Sequence, residues 1–171
     1  MPDRSYYFAA VEGWPDDMLA SWRWLIGPAA FSVFRVTAMG SLFVVDATGA
    51  VHFLDTTEGS FRRVADSREA FEGLFDVLEN RRGLLWSSFV RELRNSGVVL
   101  KEGQCYGWKV PPCLGGKEDV ENVEPTDVPV HVSIQGQLHE QTRTMAPGTK
   151  IEAVRVGAPK KGLLHRFFGR P

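Results

Sequence analysis

Between Phe31 and Ala65 the chain alternates β-branched or aromatic runs with short turns: FSVFRVTAM, LFVVDA, VHFLDT and FRRVA. The turns are Met39-Gly40-Ser41, Ala47-Thr48-Gly49-Ala50 and Glu58-Gly59. Turn residues at such close spacing mean hairpins, so this stretch predicts an antiparallel meander of three or four strands.

Helical periodicity surrounds the meander. Pro15 followed by Asp16 and Asp17 opens a short amphipathic helix carrying Met18, Leu19, Trp22, Leu25 and Ile26, and Gly27-Pro28 ends it. Asp66 or Ser67 caps a second helix with Phe71, Leu74, Phe75 and Leu78 on one face, broken at Arg81-Arg82-Gly83. A third carries Leu85, Trp86, Phe89, Val90 and Leu93, with Asn95-Ser96-Gly97 as its C-cap. The stretch VPVHVSIQGQLHEQT fits two patterns. Val128, Val130, Val132 and Ile134 alternate as in a strand, while Val130, Ile134, Leu138 and Gln141 share one helical face, with Thr126 as cap and Pro129 in the first turn. Pro147-Gly148 makes a turn, and Lys150 to Val156 alternates charged and apolar residues as an edge strand does. The last residues, APKKGLLHRFFGRP, are basic without acid and read as a loosely held tail.

With 171 residues, 43% of them hydrophobic, the chain suits one domain with a substantial core. The expectation is a single α+β domain over 1–156, an antiparallel meander of three to five strands packed against three to four helices, followed by a basic tail over 157–171. The formal net charge of -1 argues against a dedicated nucleic-acid binder. No apolar run approaches a membrane span and the N-terminus lacks a signal-peptide layout, which places the protein in the cytoplasm. Two cysteines make no disulfide framework, and that compartment keeps them as thiols.

The densest chemistry lies in CYGWKVPPCLGGKEDVEN, Cys105 to Asn122. Seven residues separate Cys105 from Cys113, too many for neighbouring zinc ligands, and His131 and His139 stand eight apart. Folding can bring either cysteine to His131 as a nucleophile and base, but free cysteine most often serves as small buried filler. Leu114-Gly115-Gly116-Lys117 lacks the spacing and hydroxyl of a phosphate loop, and acid follows it at once. No catalytic residue, metal or cofactor is assigned. Glu118, Asp119, Glu121, Glu124 and Asp127 then place five carboxylates within ten residues, without an intervening Lys or Arg. Such a run is either a solvated face or a surface that meets a basic partner, such as the phosphate-binding groove of a nuclease. Trp14 and Trp24 fall off the helical stripes and are candidate exposed anchors for a partner.

Several short motifs in order resemble a known bacterial family: a Gly-Leu-Phe strand at Gly40, Leu42 and Phe43; Tyr106, Gly107, Pro112, Leu114, Gly115 and Gly116; Glu121-Asn122; and Gln137-Leu138-His139. The family is the domain found at the C-terminus of immunity proteins against type VI secretion DNase effectors, and the resemblance runs from about Trp14 to Ile151. It favours the helix for Val128 to Gln141. It implies a protein without catalytic activity that binds a toxin made by the same cell and occludes or distorts its active site, while charge and hydropathy predict no direct contact with nucleic acid or membrane. The separate N-terminal domain of some family members has no counterpart here. Since immunity interfaces discriminate among toxins, partner contacts are expected on variable surface rather than on the motif positions. A scaffold or regulatory module without a toxin partner is the alternative. Oligomeric state and stoichiometry are left open by the sequence.

Overall fold

A computed structural model describes residues 4–10, 13–15, 17–146, 148–149, 151 and 153–157. A 3-10 turn at Arg4–Tyr7 leads to Phe8, which bridges to Thr37. The expected first helix is instead a run of tight turns: Met18 N–H donates to Pro15 O and Ala20 N–H to Asp17 O, a 3-10 turn follows at Ala20–Trp22, and only α1 (Arg23–Ile26) is α-helical. Its apolar stripe is nevertheless inside, with Met18, Leu19, Trp22 and Ile26 buried.

The meander forms with four strands, β1 (Ser32–Val36), β2 (Leu42–Val45), β3 (Val51–Asp55) and β4 (Ser60–Ala65), in sequential antiparallel order. Every residue of β2 is buried, because both faces of the sheet are covered. Successive side chains point to opposite faces, so Phe43, Val45, Val51 and Phe53 join one core cluster, and Leu42, Val44 and Leu54 join another.

Three helices pack on the first face: α2 (Arg68–Gly73), α3 (Leu78–Leu85) and α4 (Ser87–Asn95). Ser67 caps α2 by accepting the Ala70 N–H, as the sequence indicates. The breaks fall elsewhere than expected. Arg81-Arg82-Gly83 lies within α3, and the chain opens at extended Val77 and again at Trp86, whose φ of 50° is left-handed. The cause is side-chain capping: Asn80 Nδ2 donates to Leu74 O and the Arg81 guanidinium to Phe75 O, satisfying carbonyls freed at the first break. Trp86 packs against the stacked pair Phe89 and Trp108, each ring centroid 5.9 Å away.

A second sheet, missed by sequence analysis, is the hairpin of β5 (Gln104–Trp108) and β6 (Val123–Asp127), paired from Gln104↔Asp127 to Trp108↔Val123. The stretch Cys105 to Asn122 therefore begins as a buried strand. Tyr106 N–H donates to Ala38 O and ties this hairpin to the meander. The ambiguous segment is helical: α5 (Val128–Thr142) lies on the second face of the meander. Gly136 permits its packing, since a Cβ there would overlap the side chain and carbonyl of Ser21. The indoles of Trp22 and Trp24 donate to Val132 O and Gly136 O, so tertiary contacts outweigh the weak helix propensity of the valines.

Of the expected last strand, Lys150 and Glu152 lie outside the described residues, as does Pro147 of the preceding turn, and residues 153–157 form no strand. They bond to α5 through side-chain amides, Arg155 N–H to Gln141 Oε1 and Gly157 N–H to Gln137 Oε1. Of the basic tail, residues 158–171 lie outside the described residues.

Candidate functional site

The segment between β5 and β6 is shaped by one asparagine. Asn122 accepts Val110 N–H on Oδ1 at 2.9 Å and donates Nδ2 to both Val110 O and Lys117 O at 2.8 Å. Gly115 adopts φ 87°, and a Cβ on Gly116 would overlap Val110 O, so both glycines are required by the path. Pro112 opens the intervening 3-10 turn, Pro112–Leu114.

This frame presents the acidic run. Glu118, Glu121, Glu124 and Asp127 are exposed, whereas Asp119 is half-buried and caps a 3-10 turn by accepting Asn122 N–H at 2.9 Å. Asp127 accepts a long bond from Gln104 Nε2, 3.4 Å, and stands at the N-cap position of α5, where a negative charge complements the helix dipole. Among the described residues none of the five carboxylates makes an ion pair. Glu118, Glu121 and Glu124 thus form an exposed edge without ion pairs, flanked by Lys109, whose Nζ donates to Glu121 O at 2.7 Å, and by exposed Val110.

Trp14 and Trp24 do not join this edge. Trp14 is half-buried against the second core cluster. Trp24 is half-buried, stacks on Trp22 at 6.0 Å, lies under the Arg143 guanidinium and directs its N–H to Gly136 O, two turns along α5 from the acidic strand. Neither is the exposed anchor that its place in the sequence suggests.

Beneath the edge lies a polar seam that sequence analysis did not assemble. The His131 ring enters a slot between Gly40, where a Cβ would overlap it, and Gly107, and its Nε2 meets Thr56 Oγ1 at 3.2 Å. His139 fits against Gly59 and donates Nε2–H to Thr56 O and Thr57 O, both at 3.1 Å. Ser41 Oγ accepts Thr56 N–H, and Trp108 Nε1–H donates to Thr57 Oγ1. Burial pushes His131 down to about 4 and also lowers His139, so both rings are neutral near pH 7. The eight-residue spacing of the histidines, which separates them as joint metal ligands, is what places both on one face of α5.

Cys105 and His131 both flank Gly40, but without the features of a nucleophile and base. Cys105 is fully buried, its thiol is directed at Thr126 O at 3.6 Å, and burial raises its pKa, with Asp127 adding to the effect. Burial also raises Cys113. A reactive cysteine needs the opposite shift. Among the described residues no group of three or more His, Cys, Asp or Glu side chains is arranged to hold a metal, and no helix is long and apolar enough to cross a membrane.

Residues 65–139 match the protein family described as T6SS immunity protein Tdi1, C-terminal, the expected family resemblance. This interval holds the helices α2 to α4, the β5–β6 hairpin and most of α5. Comparison with curated proteins gives no match. Among solved structures, the crystal structure of Atu4351 from Agrobacterium tumefaciens is similar, with a TM-score of 0.50 and 17% identity over 72% of this chain. The likeness covers 64% of that structure's chain, so this protein corresponds to less than two thirds of it, and at this identity the likeness is one of fold.

Proposed function

We propose that this protein is an immunity protein that binds a cognate type VI secretion toxin and neutralises it without catalysis, by covering the toxin's active site. The observation that carries this reading is the family match over residues 65–139, which spans the whole acidic hairpin. The exposed carboxylates of Glu118, Glu121 and Glu124, supported by Asp119 and Asp127, meet a basic toxin surface. Opposite charge speeds encounter and fixes orientation. A DNase would supply such a surface in its phosphate-binding groove, and the immunity protein would occupy that groove in place of nucleic acid. The action takes place in the cytoplasm of the cell that makes the toxin. Trp14 and Trp24 support the frame, and any contact they make with a partner is peripheral.

The test is affinity capture with the tagged protein from its own source organism, grown with secretion active, followed by mass spectrometry and co-expression. One effector-like protein should be recovered, and its toxicity in a sensitive host should be relieved by co-expression of this chain. Recovery of no such protein across growth conditions, or a toxin that is bound yet still kills, would reject neutralisation and favour a scaffold module.

A further inference from the structure

The acidic edge has a counterpart of opposite sign. A groove of about 240 Å³ opens where the N-terminal segment meets α3 and α4. Its apolar wall includes Phe8, Phe75 and Leu85, with Leu78 42% exposed at the mouth. Arg81, Arg82 and Arg91 line the polar side with Ser87 and Ser88. Arg81 is held by Phe75 O, while Arg82 and Arg91 are exposed and make no ion pair among the described residues. Ser87 and Ser88 begin α4, and no side chain caps that helix N-terminus, so its N–H groups also favour negative charge.

We infer that this groove docks an acidic segment of a partner protein, one apolar side chain entering between Phe8, Phe75, Leu78 and Leu85 while flanking carboxylates pair with Arg82 and Arg91. Arginine suits that role, since its planar fork takes carboxylates bidentately. The volume argues for a side chain over a nucleotide or cofactor, whose pockets run from about 300 to 1,000 Å³. The chain's own C-terminal tail is a poor occupant, because Lys160, Lys161, Arg166 and Arg170 would face the arginines. None of the five acidic-run residues lines the groove. The inference therefore goes beyond the proposed toxin contact and does not depend on it.

The probe is a fluorescein-labelled peptide, Glu-Asp-Leu-Phe-Glu-Asp, titrated with the full chain and followed by anisotropy. Saturable binding is expected, weakening about tenfold or more between about 0.05 M and about 0.3 M salt. Arg82→Glu with Arg91→Glu should lower affinity at least about tenfold, and a peptide with Leu and Phe replaced by Ser should lose a comparable factor. Both arginines are exposed, so the double variant keeps the fold. The variant Glu118→Lys/Glu121→Lys/Glu124→Lys, which tests the toxin contact, should bind the peptide at least as well as the native chain. No saturable binding, or equal binding by the arginine double variant, would overturn the inference. So would a concentration-dependent dimer abolished by Arg82→Glu, which would assign the groove to the acidic edge of a second copy.

Discussion

The β5–β6 hairpin has an inner face and an outer edge that obey different rules. Inside, Gly107 faces Thr126 and His131, Gly40 takes His131 and Cys105, and Gly59 takes His139, so closely that glycine at 40, 59 and 107 is a requirement of volume. Outside, Glu118, Glu121 and Glu124 project into solvent, and no hydrogen bond among the described residues depends on their carboxylates. The glycines and buried motif positions build the frame, whereas the exposed carboxylates, Glu121 among them although it is a motif position, contribute no bond to it among the described residues. Under the proposed toxin-binding reading, such a separation lets the edge change while the frame stays.

The sharpest way to break the comparison is Gly40→Val. It forces a β-branched residue to φ 81° and drives its Cβ into the His131 ring, so a loss on the order of 4 kcal/mol is expected in a urea titration. A loss below about 1 kcal/mol would mean that the seam yields and does not define the frame.

Acid should loosen the inside and leave the outside intact. His131 titrates near 4 in the folded protein and near 6.5 when unfolded, so the unfolded state binds the extra proton between those values. Its contribution is complete above about pH 6.5 and is lost as pH falls toward 4, by about 3 kcal/mol in all, with His139 acting in the same direction. Asp55, raised by burial, opposes this at the acid end. Stability measured against pH in His131→Gln should show a flatter slope over that window. An unchanged slope would remove His131 as the cause.

Asn122→Ala removes three hydrogen bonds at the junction of the two regions and should cost about 1–2 kcal/mol, with faster amide exchange at Val110. The smallest effect on folding belongs to the edge itself. Glu118→Lys/Glu121→Lys/Glu124→Lys should change stability by no more than about 0.5 kcal/mol, because these are exposed and unpaired side chains.

Much of this organisation is legible in the sequence. Gly40, Gly49 and Gly59, all at positive φ, separate alternating runs, and local turn chemistry of that kind specifies a meander. The β5–β6 pairing is not local. Its strands are joined through a long loop held by Asn122, and Pro125 and Gly107 weaken the strand signal. The helix break at Val77 escapes notice because the freed carbonyls are capped by Asn80 and Arg81 from the next helix, which sequence periodicity does not record, and the break at Trp86 because it rests on a left-handed tryptophan. Of the acidic run, exposure of the glutamates follows from composition, whereas the capping role of Asp119 depends on a turn that only the fold reveals. Trp24 shows the reverse: a residue off the apolar stripe is still packed, because Gly136 lets α5 come close.

The most direct test of the central claim is the association rate of the recovered toxin with the native chain and with Glu118→Lys/Glu121→Lys/Glu124→Lys, measured against ionic strength. The native rate should fall about tenfold or more from low to physiological salt, and the reversed variant should associate at least about tenfold more slowly at low salt with little further dependence. Equal rates and equal salt dependence for the two proteins would contradict a toxin contact at the acidic edge.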